Sequence, residues 1–215
     1  MNKVELIFVS ALLLAPLATT SPLVKRATDT DTSKGIDPKL HLGVYVLSEV
    51  AKIGKWLLEE GSVVVSNAVK ELNEIPEKDE LLQANITRMA KIGKQAAEFK
   101  LDDNEDSVMK LFENMASLAE MMADYESMAE NTKLKQTLRR ALDNNGYIKL
   151  DSELEQKFTA LSKDFDKVFT VYLQSLSSNE RLKQSKLINW YNDFLDEVNE
   201  EKKLEKLSEL FDLLN

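Results

Sequence analysis

The amino-acid sequence predicts an all-α protein, an antiparallel bundle of six to eight helices, and three observations carry that prediction. After Pro76 the chain holds no proline, and only Gly93 and Gly146 interrupt it, so the residues that usually end helices are scarce. Apolar residues recur at steps of three and four, the period of one helix face. No stretch alternates apolar and polar residues as a half-buried strand would, and the β-branched run Val63-Val64-Val65 sits within helical spacing.

The elements follow in order. Asp37-Pro38 supplies an N-cap and a proline at the first helical position, opening a helix that runs to about Glu60, where Gly61 is expected to break it. Ser62 then caps a second helix, which Pro76 stops near Ile75. From about Asp79 to Lys100, Leu82, Ile86, Met89, Gly93 and Ala96 mark one packed face. Val108, Leu111, Met115, Leu118, Met122, Tyr125 and Ala129 form the longest interhelical seam. A short helix over Asn131–Leu142 turns Leu134, Leu138 and Ala141 or Leu142 inward. Ser152 and Glu155 make a capping-box pattern for a long helix carrying Leu154, Phe158, Leu161, Phe165, Val168 and Tyr172. Ser178 or Asn179 opens the last region. There Leu187, Tyr191, Phe194, Val198, Leu204, Leu207, Phe211 and Leu214 mark one long helix, or two divided near Glu200–Lys203.

Two segments repeat without a gap at a spacing of 39 residues: LSEVAKIGKWLLEE (47–60) and ITRMAKIGKQAAEF (86–99). Their agreement suggests a duplicated helical hairpin. Each copy keeps a glycine in mid-helix, Gly54 and Gly93, where glycine costs about 1 kcal/mol against alanine. Close approach of a neighbouring helix would explain both, and Ala90, Gly93 and Ala97 form a stripe of small residues.

Residues 1–20 read as a signal peptide: Lys3 precedes an apolar run, Leu6–Leu14, too short to span a bilayer, and small residues follow with cleavage points after Ala18 or Thr20. Residues 21–36 read as a propeptide or flexible segment in which the dibasic pair Lys25-Arg26 predicts maturation to Ala27. Residues 37–215 then form a single α-helical domain. Removing Lys3, Lys25, Arg26 and Glu5 leaves 25 basic and 36 acidic residues, a net charge of −11. That sign argues against nucleic acid and anionic membranes as general partners. Leu40–Leu58 is apolar round much of its start, but its charged residues argue against stable membrane insertion. Cysteine is absent, which excludes disulfides and thiol chemistry.

Asp143, Asn145, Gly146, Tyr147 and Ile148 resemble the middle of the calcium-binding loop of the EF-hand family, which would imply a calcium-regulated module. Laid on that pattern, the first ligand falls on Ala141 and the closing glutamate on Ser152. One repeat earlier, Asp102, Asn104, Asp106 and Glu113 fit the ligand spacing, but Ser107 replaces the glycine of the turn. Helix capping accounts for the same residues: acidic groups at one helix start, and an Asn-Gly end to another. No metal and no cofactor is therefore expected.

The single histidine, His41, has no cysteine or second histidine to work with, so no enzyme is expected. Asn85-Ile86-Thr87 is the one glycosylation acceptor, at Asn85. Five methionines fall between residues 109 and 128. A candidate apolar cavity would set Met109, Phe112, Met115 and Met122 against Phe158, Phe165, Phe169 and Tyr172, two flexible and aromatic faces suited to a lipid-sized ligand. Lys133, Lys135, Arg139 and Arg140 form a basic group expected on a solvated face. The expectation is a secreted, non-enzymatic protein that binds an extracellular protein partner, with carriage of a fatty acid or another apolar small molecule as the alternative.

Overall fold

The computed structural model describes residues 38–102 and 104–214. The expected signal peptide, the segment with Lys25-Arg26 and the cap at Asp37 lie outside the described residues. Eight helices make up the fold among those described: α1 (Pro38–Asn73), α2 (Glu80–Glu98), α3 (Glu105–Ser127), α4 (Lys133–Asn144), α5 (Tyr147–Ser175), α6 (Ser178–Lys183), α7 (Ser185–Asp196) and α8 (Glu200–Leu214). No described residue lies in a strand. The all-α bundle is the observed class.

The axis of the molecule is α1, which touches α2, α3, α4, α5 and α8. At 36 residues it is about 54 Å long. The break expected at Gly61 does not occur, because Gly61 faces a neighbour rather than solvent. A Cβ there would lie 3.0 Å from Leu118 Cδ2, and one at Gly54 would overlap Met115 Sδ. The two glycines, two turns apart, let α3 come close to α1, and that packing offsets their poor helix propensity. Ser62 caps nothing: its hydroxyl donates to Glu59 O at 2.8 Å inside the continuous helix.

Contacts along α1 reveal the directions of its neighbours. Gly54 meets Leu111 and Met115 while Gly61 meets Leu118, so α3 ascends with α1. Gly61 also lies near Leu150, Trp56 receives the Lys157 ammonium 4.5 Å from its ring centroid, and Leu42 shares a groove with Tyr172, so α5 descends along it.

The two repeats bury equivalent positions. Leu47, Val50, Ile53, Gly54 and Leu57 correspond to Ile86, Met89, Ile92, Gly93 and Ala96, and all ten are buried. Gly93 receives Val65 of α1, whose Cγ1 would stand 3.1 Å from an added Cβ. The first copy, however, lies within one uninterrupted helix, so the two copies do not share a hairpin. Ala90 and Ala97 are exposed, which leaves Gly93 as the close contact of the predicted small-residue stripe.

Side-chain caps set most starts. Asp79 accepts from Leu82 N, Asn104 from Ser107 N and Thr132 from Lys135 N, while Ser177 and Glu180 form a full capping box. The long α5 starts five residues earlier than Ser152. Gly146, at φ 101°, turns the chain from the end of α4 straight into α5. Leu150 N then donates to Gly146 O at 3.0 Å, so Ser152 lies inside a formed helix.

At the C-terminal end, α7 and α8 are separate helices, divided at 197–199. Val198, expected to face inward, falls in that break and is 93% exposed. Its companions Leu187, Tyr191, Phe194, Leu204, Leu207, Phe211 and Leu214 are buried. Ala129, placed in the α3 seam by its spacing, lies beyond the end of α3 and is exposed.

Candidate functional site

The first turns of α1 and the last turns of α5 enclose a surface groove of about 610 Å³, lined by Pro38, His41, Leu42, Val168, Val171, Tyr172 and Ser175. On α5 the lining residues follow a 3, 1, 3 spacing, one face of the helix. Leu42 and Tyr172 are buried at its base, whereas Val171 is 65% exposed. The exposed His41 stands at the rim. Ser175 turns its hydroxyl back to Tyr172 O at 2.7 Å. The groove is thus largely apolar, with His41 at its rim and the Tyr172 ring at its base.

A second cluster surrounds the α4 helix. Lys135, expected on a solvated face, is 3% exposed. Its ammonium donates to Glu126 O at 2.6 Å, Met128 O at 2.9 Å and the Glu130 carboxylate at 2.7 Å. All three ammonium donors are satisfied, and two of them hold carbonyls that the end of α3 leaves without helical partners. In return the hydrogen bond from Lys135 holds the Glu130 carboxyl below its ordinary range.

At the other end of α4, the Glu71 carboxylate of α1 accepts from Asn144 Nδ2 at 2.9 Å and Asn145 Nδ2 at 2.7 Å. The Asn145 amide also donates to Ala141 O at 2.7 Å. The Asn-Asn-Gly turn is therefore stapled to the central helix.

Beside this turn, Tyr125 of α3 and Tyr147 of α5 line a small cavity with Met122 and Leu142. Burial raises both phenols above their ordinary range, that of Tyr125 to about 12. The Asp151, Glu126 and Asp143 carboxylates push Tyr147 further up, against the opposing field of Arg139. Both hydroxyls stay protonated at neutral pH.

The residues singled out for an internal cavity fall into two groups. Phe112, Met115 and Met122 are buried on α3, with Met109 half-buried. Phe158, Phe165, Phe169 and Tyr172 are buried on α5. Each helix packs chiefly on α1. Met115 seats against Gly54, while Phe165 and Phe169 join an aromatic cluster with Trp190, Tyr191 and Phe194 of α7. In that cluster Phe169 stacks on Tyr191 at 3.9 Å, and Phe165 meets Phe194 edge-on at 5.5 Å. Trp190 Nε1 donates to Lys206 O at 3.1 Å and so ties α8 to it. Tyr191 donates to Asp166, and its phenol is raised first by burial and then by that bond. Of the eight residues, Met122 lines the small cavity and Tyr172 the surface groove.

The calcium-loop candidates have other occupations. Asn104 caps α3; Asp102 N donates to Ser107 Oγ at 2.8 Å; Asp106 and Glu113 are exposed. Asp143 pairs with Arg139 at 3.7 Å. Among the described residues no group of three or more histidine or acidic side chains is placed to hold a metal ion. Asn85 lies in α2 with its amide bonded to Leu81 O at 2.8 Å, beside the exposed Thr87. No described helix is long and apolar enough to cross a membrane.

Compared with protein families, with curated proteins and with solved structures, the chain matches none. What the fold defines is a class, the helical bundle assembled round one long central helix.

Proposed function

We propose that the protein is secreted, non-enzymatic and acts outside the cell by binding a macromolecular partner in the α1–α5 groove. One observation carries the reading: an apolar groove open at the surface, with Val171 projecting from its wall. Two ridges of helix side chains suit an amphipathic helix laid between them, a recurring way for such a groove to be filled. The acidic charge of the chain, −9 over the full sequence, favours a partner with a basic polar flank, since opposite charge speeds encounter.

Carriage of an apolar small molecule is the second reading. It is supported by the groove's volume of about 610 Å³, inside the range of roughly 300–1,000 Å³ typical of ligand sites.

The test compares the purified protein with Val171→Asp in cross-linking to extracellular fluid of the source organism, alongside organic extraction and mass spectrometry. A basic, helical partner captured by the wild type and lost from a variant of equal melting temperature supports the first reading. Equal capture by both removes the groove from it. A stoichiometric co-purified lipid instead moves the function to the carrier.

A further inference from the structure

The end of α3, the α4 helix and the first turn of α5 surround a cavity of about 20 Å³, lined by Met122, Tyr125, Lys135, Arg139, Leu142 and Tyr147 among others. The hydroxyls of Tyr125 and Tyr147 are buried, and neither meets a hydrogen-bonding group of the protein. Tyr125 as a whole is only 5% exposed. An unpaired hydroxyl in the interior loses its hydration with nothing in return, and native proteins rarely leave two beside one cavity.

The basic side chains in the wall are already engaged. Lys135 has all three donors on Glu126 O, Met128 O and Glu130, and Arg139 pairs with Asp143.

Size and charge define the missing partner. A cavity needs roughly 10–15 Å³ to hold one water molecule; about 20 Å³ admits one and leaves no room for a molecule of several heavy atoms. Lys135 and Arg139 in the wall oppose a cation, while the Glu126, Asp143 and Asp151 carboxylates that act on Tyr147 oppose an anion. A neutral ligand that both donates and accepts fits two protonated phenols.

We propose that this cavity is a binding site for a single water molecule shared by the Tyr125 and Tyr147 hydroxyls, which ties the end of α3 to the start of α5. The bridge crosses the Gly146 hinge, so the water holds α5 in its docked direction.

Tyr125→Phe and Tyr147→Phe remove the hydroxyls alone and leave the rings to pack. Thermal unfolding at neutral pH should show each single variant melting a few degrees below wild type. The double variant should fall by less than the two drops combined, because both hydroxyls hold the same molecule. A crystal structure resolving ordered solvent should place one peak within hydrogen-bonding reach of both oxygens. Single variants melting at or above the wild-type temperature overturn the proposal, since a hydroxyl without a partner is better removed. So do strictly additive losses, or a crystal structure with no peak there.

Discussion

Two side chains show how position decides what a polar group does. Lys135 looks like its neighbours Lys133 and Arg139 in the sequence, yet it alone of the three is buried, because the carbonyls of Glu126 and Met128 need donors there. Tyr125 is read as a core residue from its spacing, but its hydroxyl adds a polar demand that apolar periodicity does not express. Tyr125 also makes stability depend on pH. Its folded value, about 12, exceeds the ordinary 10.0, so the unfolded chain gives up the proton first and stability falls as pH rises between those values. The loss is on the order of 1 to 3 kcal/mol for such a group. Urea unfolding from about pH 9, roughly one unit below the start of that interval, up to its end at about 12 should give a shallower decline for Tyr125→Phe than for wild type, whatever their difference at neutral pH. Parallel curves would assign the alkaline loss to other groups.

At the scale of the element, the core faces were legible and some boundaries were not. Leu82, Ile86, Met89 and Ala96 on α2, and Val108 through Tyr125 on α3, are buried where the period places them, because burial on one face is what the period records. Gly61 and Gly146 carry the same letter with opposite effects. The first faces Leu118 and continues its helix; the second takes a positive φ and ends one. Only the neighbour distinguishes them, and the neighbour is not in the local sequence.

The partners of the Met and Phe faces were hidden for the same reason. Spacing identified buried Met and Phe faces on α3 and α5, but it does not say that Met115 meets Gly54 of α1 while Phe165 and Phe169 meet the rings of α7. Gly146 supplies a direct test of the element. An added Cβ has ordinary room, its nearest contact being Val64 Cγ2 at 3.9 Å, so a substitution meets backbone strain rather than a clash. Gly146→Val should cost about 1–3 kcal/mol and Gly146→Asn less, since Asn tolerates the left-handed region. Calcium should shift neither melting temperature. Equal stability of the three proteins would remove the hinge role.

At the scale of the whole molecule, α8 contributes Leu204, Leu207, Leu210, Phe211 and Leu214, all nearly fully buried, and it touches α1, α5 and α7. Burying five such side chains stabilises by roughly 7 to 15 kcal/mol, comparable with the entire net stability of a typical domain. A chain ending at Glu197 should therefore lose cooperative unfolding in calorimetry, and a sharp transition in that truncation would show that α1 to α7 fold without it. The sequence announces Leu204, Leu207, Phe211 and Leu214 by their spacing, and the structure adds Leu210 to them. What the sequence leaves unsaid is that the helix formed by residues 38–73 is where they must go.

That arrangement also orders events in time. During synthesis the central helix emerges ahead of the helices that pack on it, and of the described helices α8 emerges last. Until then the parts of α1, α5 and α7 that α8 covers stand open to solvent. Apolar surface exposed on a partly made chain is what invites aggregation and chaperone holding, and covering that patch waits on the last of these helices.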